Sequence, residues 1–262
     1  SLILNMVKVK MFEMSEHKNR PAVDAPITDA NAFNEIVNSR RSVRFYSSDD
    51  IPQDVIDSCL DAALKAPNSS NLQTWEIHHV VDADKKKELV RLCLGQPAAS
   101  TAKEIFVFVA RPDLWKRNNK WMIDEFDRRG DMPDKAYQYF KKITPMIYST
   151  GFLGVLAPFK WLFYNFRGIR KPTPREPMGR WGMTVWSHKS TALACAHFML
   201  AMRAHGFDSC PMEGLDSKRV KRLLGLPRQA GITMAISAGK RAEGGVFGDR
   251  FRFDKKHFVI KH

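Results

Sequence analysis

Glu104-Ile105-Phe106-Val107-Phe108-Val109-Ala110 reads as a β-strand, because Val and Phe dominate it and both suit a pleated, half-buried surface. Upstream of it, Ala83 to Leu94 predicts a helix and Glu76 to Val81 a strand. A further helix starts near Pro52, a residue suited to the first helical position. It repeats Ile56, Leu60, Ala63 and Leu64 on one face until Pro67 stops it. Asn31 to Asn38 is the first clear helix, and residues 1–30, polar and mixed with Pro21 and Pro26, read as an extended arm. Downstream, residues 112–180 are aromatic, basic and proline-punctuated, and read as an insertion of short helices. Val185 to His205 then predicts a long helix with Leu193, Ala196, Leu200 and Ala204 at core spacing, stopped by Gly206. A strand at Phe207–Cys210, a short helix capped by Asp216 and ending near Gly225, and a strand at Gly231–Ala238 complete the order. Strands and helices mix without regular βαβ alternation, which predicts an α+β layered sandwich rather than a Rossmann sheet.

Composition sets the outer bounds. The 262 residues are 44% apolar, enough to bury a full core, and residues 31–262 read as one domain. Lys and Arg number 42 against 28 Asp and Glu, a net +14 that suits nucleic acid, an anionic membrane or anionic small molecules. The longest basic runs, Lys85-Lys86-Lys87 and Lys218 to Arg222, are interleaved with Leu and Val at helical spacing. They read as solvated helix faces and not as a nucleic-acid arm. Cys59, Cys93, Cys195 and Cys210 are far apart, which argues against a structural zinc or a redox dithiol. With no secretory leader visible, a reducing, cytoplasmic setting is expected. His188 and His197, nine residues apart on the long helix, share a face only approximately, so no metal site is expected.

Three constellations carry chemistry. Arg40, Arg41, Ser42 and Arg44 supply guanidinium forks and a hydroxyl within five residues. Alternate residues of an extended stretch point to one side, so Arg40, Ser42 and Arg44 can converge on one anion. On chemistry alone a short Arg-rich stretch is more often merely solvated. Ala66-Pro67-Asn68-Ser69-Ser70-Asn71-Leu72-Gln73-Thr74-Trp75 offers small polar groups after a helix, either to a polar ligand or as an ordinary turn. Pro211-Met212-Glu213-Gly214-Leu215-Asp216, at a strand end, presents backbone N–H groups suited to an anion or an electron-rich ring edge. Helix capping by Asp216 is compatible with that.

In this order the three resemble the nitroreductase family of FMN enzymes, which carries R-R-S-x-R, then A-P-S-x-x-N-x-Q-P-W, then P-x-E-G and a C-terminal arginine. Here those read Arg40 to Arg44, Ala66 to Trp75, Pro211 to Gly214, and Arg250. The resemblance spans roughly residues 31–110 and 181–260. It implies a three-layer α-β-α sandwich with a mixed, mainly antiparallel central sheet, in a homodimer that exchanges its C-terminal tails. It assigns Arg40, Arg41, Ser42, Arg44 and Arg250 to the phosphate and ribityl end of a tightly but non-covalently bound FMN. Gln96 resembles a ribityl contact. Pro67, Asn68, Ser69 and Asn71 would reach the flavin from the partner subunit, and Pro211, Met212, Glu213 and Gly214 would line the isoalloxazine, with Glu213 positioned near N5. Two departures stand out: Thr74 replaces the usual proline and Asn68 the usual serine. The basic residue that often precedes the C-terminal arginine is replaced by Gly248-Asp249, and Lys240, Arg241 or Arg252 could substitute.

The implied activity is ping-pong transfer from NAD(P)H through FMN to a small-molecule acceptor such as a nitroaromatic or quinone. No catalytic nucleophile is expected; Cys210 reads as a small core residue. Ile147 to Phe166 is nearly all apolar and is followed by Arg167, Arg170 and Lys171. It reads as a substrate lid first, then as a weak contact with anionic membrane through residues 147–171, then as dimer packing. Pro158 and Lys160 in its middle oppose a transmembrane span. A second class on the same scaffold is reductive dehalogenation of the iodotyrosine-deiodinase type. Its lid uses a Glu, Tyr and Lys set, for which Glu125, Tyr137, Tyr139 and Lys141 are the residues on offer.

Overall fold

β2 (Glu104–Ala110) is buried from Ile105 to its end, and the fold is built outward from its two faces. In this computed structural model residues 25–130, 133–149, 156–173 and 175–262 are described. The chain divides into two units, residues 1–35 and 36–262. Most of the expected N-terminal arm, up to residue 24, lies outside the described residues.

The helices before the site are α1 (Ala30–Ser39), α2 (Gln53–Leu64), α3 (Ala83–Leu92) and the single turn α4 (Pro97–Ser100). With β1 (Trp75–His79), β3 (Asp208–Met212) and β4 (Gly231–Gly239), β2 forms a four-stranded sheet in the order β1-β2-β4-β3. Every pairing of these strands is antiparallel. The sheet is thus wholly antiparallel and not mixed as expected; a parallel pairing occurs as an isolated bridge between Ser42 and Ser209 of β3.

Alternation along β2 divides the core. Ile105, Val107 and Val109 join Leu89 and Leu92 of α3 and Val220 of α10 (Ser217–Leu223) in one apolar cluster. Phe106 and Phe108 join Ile56, Cys59 and Ala63 of α2 and Ala194, Cys195, Phe198 and Met202 of α9 (Gly179–Ala204) in another. Side chains on successive strand residues point to opposite faces, so one apolar strand requires a helical layer on each side. The result is the expected three-layer α-β-α sandwich.

The α9 helix begins at Gly179, before the expected Val185, and presents a different face to the core. Leu193 is 44% exposed, whereas Ala194, Phe198 and Met202 are buried. The buried side also carries Ser187, Ser190 and Thr191, whose polarity hid it from a reading based on apolar spacing. Ser187 donates to the carbonyl of Thr74 at 2.7 Å, and the Thr74 hydroxyl lies 3.2 Å away. Thr74 is therefore held by this helix.

The insertion contains α5 (Trp115–Arg129), α6 (Asp134–Gln138), a π turn (Tyr139–Ile143), α7 (Thr144–Tyr148) and α8 (Leu156–Arg170). Its own apolar cluster gathers Trp115, Phe126, Phe140 and Tyr148 against Leu72 and against Met183 and Trp186 of α9. Of the apolar stretch from Ile147 to Phe166, residues 150–155 lie outside the described residues. Among the described residues no helix is long and apolar enough to cross a membrane.

Phe198 joins the sheet to α9, with ring centroids 4.7 Å from Phe106 and 5.5 Å from Phe108. Phe198→Ala is expected to lower unfolding stability by about 3–5 kcal/mol, read from the urea midpoint at unchanged m-value. A loss under about 1 kcal/mol would contradict this account of the core.

Candidate functional site

The basic segment leaves α1 extended and is clamped on both sides. On one side Val43 N–H donates to the carbonyl of Ser209 at 3.2 Å, next to the Ser42–Ser209 bridge. On the other, Arg44 N–H donates to the carbonyl of Gly245 at 2.8 Å. A Cβ at Gly245 would lie 2.6 Å from the Phe45 carbonyl, so only glycine permits this approach. The tail then returns over the segment: Arg41 donates to the Gly248 carbonyl at 2.8 Å, and Arg250 donates to the carbonyls of Val37 at 3.2 Å and of Arg40.

These contacts close a cleft of about 160 Å³ whose lining includes Arg40, Arg41, Ser42, Arg44, Arg250 and Arg252. Asp249 also lines it. Partial burial, followed by Arg250, Arg252 and Arg41 nearby, pushes the Arg40 guanidinium below its usual range. Like charges held this close lower one another's affinity for a proton, and an anion between them removes that cost. Arg44 also lies over the Phe247 ring, 5.0 Å from its centroid. Of the three contenders for the place beside Arg250, Arg252 lines this cleft and the other two are engaged elsewhere. Arg241 pairs with buried Asp208 at 2.7 Å, which also holds Arg203 at 3.0 Å, and Lys240 pairs with Asp49 at 3.7 Å.

β3 connects this cleft to the third constellation, Pro211 to Asp216. It runs from the Ser209 bridge through Pro211 and Met212 into the exposed turn at Glu213 and Gly214. Gln96 donates to the Gly214 carbonyl at 3.3 Å and to the Cys93 carbonyl at 3.0 Å, which places its carboxamide against that turn. Asp216 closes the turn by accepting from Arg219 N–H at 3.0 Å. Met212 departs from the expected role: its side chain is 2% exposed inside the apolar cluster, leaving its backbone for any ligand. Cys210, also buried, has its thiol pushed up by burial, as a core residue should.

The loop with Pro67, Asn68, Ser69 and Asn71 is not part of this grouping within one protomer. It leads into β1, at the sheet edge opposite β3, which is about 14 Å away at three inter-strand spacings. Asn68 shapes it by accepting from Gln73 N–H at 2.7 Å. A second cavity of about 440 Å³ lies here, lined by residues that include Leu64, Leu72, Trp75, Arg117, Trp121 and Met122.

Two further sets of residues have separate partners. Glu125, Tyr137, Tyr139 and Lys141 share one contact, between Lys141 and Tyr137. Glu125 pairs with Arg128 and Arg129 at 2.7 Å each, Lys141 sits 4.2 Å from the Tyr137 ring centroid, and Tyr139 hydrogen-bonds Ser70. His188 and His197 bond separately, to the Thr233 hydroxyl and the Leu193 carbonyl. No group of three metal-ligating side chains occurs among the described residues. Sequence reading missed the insertion tyrosines Tyr139 and Tyr148 as neighbours of the 68–71 loop. No spacing rule links residues so far apart.

Comparison with known proteins gives a match to the nitroreductase family model over residues 37–240. A protein of Thermus thermophilus named NADH dehydrogenase is 25% identical over 237 residues, covering 88% of this chain and 95% of that protein. Iodotyrosine deiodinase 1 of Pongo abelii is 31% identical over 96 residues, covering 36% of this chain and 32% of that protein. A structure from Exiguobacterium sibiricum, described as a candidate nitroreductase in complex with FMN, superposes with a TM-score of 0.66 at 20% identity. That superposition covers 92% of this chain and 100% of the other.

The ion pairs predict a division of labour among the arginines. Arg241→Ala, which strips buried Asp208 of a partner, is expected to cost about 1–3 kcal/mol of stability. Arg252→Ala should stay within about 0.5 kcal/mol of wild type. Equal losses in urea unfolding would show that the two arginines are not specialised.

Proposed function

The chain belongs to the nitroreductase family, and on that premise we propose that it is an FMN-dependent oxidoreductase carrying electrons from NAD(P)H to an electron-poor acceptor. The observation that carries this reading is the gathering of Arg40, Arg41, Ser42, Arg44, Arg250 and Arg252 around one small cleft beside the β3 turn. The donor set fits a phosphate: several guanidinium groups and a hydroxyl, with mutual repulsion that a dianion relieves. Bound FMN would supply the redox chemistry, accepting a hydride from NAD(P)H and passing electrons to a nitroaromatic, a quinone or a similar acceptor in ping-pong order.

The protein's own part is to hold and orient. Arg40, Ser42, Arg44, Arg250 and Arg252 grip the phosphate, and Arg41 ties the segment to the tail. Gln96, braced on the Gly214 carbonyl, faces the ribityl chain. The backbone from Pro211 through Gly214 lines the ring edge, and Glu213 positions the N5 region without transferring protons.

Completion of the site requires a second copy. Pro67, Asn68, Ser69 and Asn71 stand at the far edge of the sheet, so we assign them to the flavin of the partner protomer in a homodimer. Two apolar surfaces support that assembly: Trp181, Val185 and Leu193 lie exposed along α9, and Phe251, Phe253 and Phe258 cluster exposed on the tail. The tail is the segment we expect to be exchanged. The insertion, joined to the 68–71 loop, acts as the lid that shields the acceptor from water. Four buried, unpaired cysteines suit a cytoplasmic setting.

The purified protein should be yellow and release FMN on denaturation. Arg40→Ala combined with Arg44→Ala should weaken FMN binding by at least about 100-fold, since each charge-assisted hydrogen bond is worth about 1.5–3 kcal/mol. The dimer should remain folded by size-exclusion chromatography and circular dichroism. Wild-type FMN affinity in that double variant would overturn the phosphate assignment.

A further inference from the structure

The 68–73 loop has an uncommon backbone. Among the described residues, four non-glycine residues have φ in the left-handed region. Three of them, Ser70 at 56°, Asn71 at 49° and Gln73 at 45°, fall within four positions. That region is disfavoured for a residue with a Cβ, so it persists only where surrounding structure imposes it.

The insertion supplies such restraints. Tyr139 OH lies 2.7 Å from Ser70 Oγ, and Tyr148 OH lies 2.8 Å from Ser70 Oγ and 3.0 Å from Ser69 Oγ. The four groups form a chain in the order Tyr139, Ser70, Tyr148, Ser69. Both rings are fixed from behind. Tyr148 is 3% exposed, with centroids 4.4 Å from Trp186 and 6.2 Å from Trp115. Tyr139 opens the π turn and meets Phe140 edge-on at 5.2 Å. Burial pushes the Tyr139 phenol above its usual range, so it keeps its proton.

Counting hydrogens shows what this chain offers. Each hydroxyl has one hydrogen to donate. Four hydroxyls joined by three links leave one hydrogen over, and any one of the four can carry it. Tyr139 and Ser70 are half-buried and Tyr148 is buried, where an unused donor is costly, whereas Ser69 is exposed. The favoured direction therefore runs from Tyr139 to Ser69, leaving the Ser69 hydroxyl as an outward donor.

We propose that Tyr139 and Tyr148 are positioning residues of the flavin site: the hydroxyl chain they complete holds the 69–73 loop in its left-handed shape and aims Ser69 as a hydrogen-bond donor at the flavin of the partner protomer. This rests on the reading of that loop as a flavin contact across the dimer. It makes the insertion more than a cover, because its inner surface sets the geometry of a cofactor contact in the other subunit.

The test uses the full-length dimer loaded with FMN. Tyr148→Phe keeps the ring and breaks two links; Tyr139→Phe breaks one. At about 0.5–1.5 kcal/mol per hydrogen bond, Tyr148→Phe should raise the FMN Kd about 3–10-fold. It should also shift the visible flavin absorbance band, and Tyr139→Phe should do the same to a smaller extent. A purely structural tyrosine would lower the melting temperature and leave Kd and spectrum alone, and that result overturns the proposal. If Tyr148→Phe does not fold, Ser69→Ala removes only the terminal donor and must give the same rise and band shift. An unchanged Kd in Ser69→Ala also overturns it. Wild-type protein that takes up no FMN would overturn the flavin reading beneath the proposal, an outcome distinct from variants that bind as wild type does.

Discussion

The residue 36–262 unit is organised around a strand with no solvent face. β2 places Phe106 and Phe108 on one side and Ile105, Val107 and Val109 on the other, all of them fully buried. Both sides must be covered by helices, and covering them fixes where every loop at the sheet ends can go. α2 and α9 close one face, α3 and α10 the other. The two edges remain as the places where polar loops can be displayed. β3 at one edge carries the guanidinium cleft and the Glu213 turn, and β1 at the other receives the 68–73 loop.

The cleft is a case of charge held against its own repulsion. Its arginines are kept near one another by two backbone contacts, the Ser42–Ser209 bridge and the Arg44–Gly245 bond, and by guanidinium bonds to the carbonyls of Val37, Arg40 and Gly248. Preorganisation of this kind makes an anion welcome, because the cost of assembling the cations is already met by folding. The buried Asp208 carboxylate holds both Arg203 and Arg241 in ion pairs, and neither arginine lines the cleft.

The insertion couples to the loop by neutral side chains and not by charge: the Tyr139 and Tyr148 hydroxyls meet Ser69 and Ser70, and the Asn118 amide donates to the carbonyls of Leu72 and Gln73. Some of its acidic and basic residues form local helix pairs such as Lys120–Asp124 and Glu125–Arg128. Such exposed pairs contribute little. What reaches the loop is a buried aromatic cluster with two phenolic tips, where the apolar body fixes the ring and the oxygen does the work.

Much of this was legible in the chain itself. Local chemistry placed most elements: Val and Phe marked β2, Pro67 ended α2, Gly206 ended α9, and Asp216 capped α10. These signals act over a few residues and survive without knowledge of the fold. The clustering of Arg40, Arg41, Ser42 and Arg44 was equally visible. The sequence alone did not show that Arg252 lines the cleft while Arg241 pairs with buried Asp208 and Lys240 with Asp49. It hid the true core face of α9, where Ser187 bonds Thr74 and Thr191 bonds the Ser187 carbonyl. It hid the meeting of Tyr139 and Tyr148 with Ser69 and Ser70, and the withdrawal of the Met212 side chain into the core. Local propensity is written residue by residue, whereas burial and hydrogen-bond partnership are properties of two distant segments at once. Only the folded chain brings those segments together.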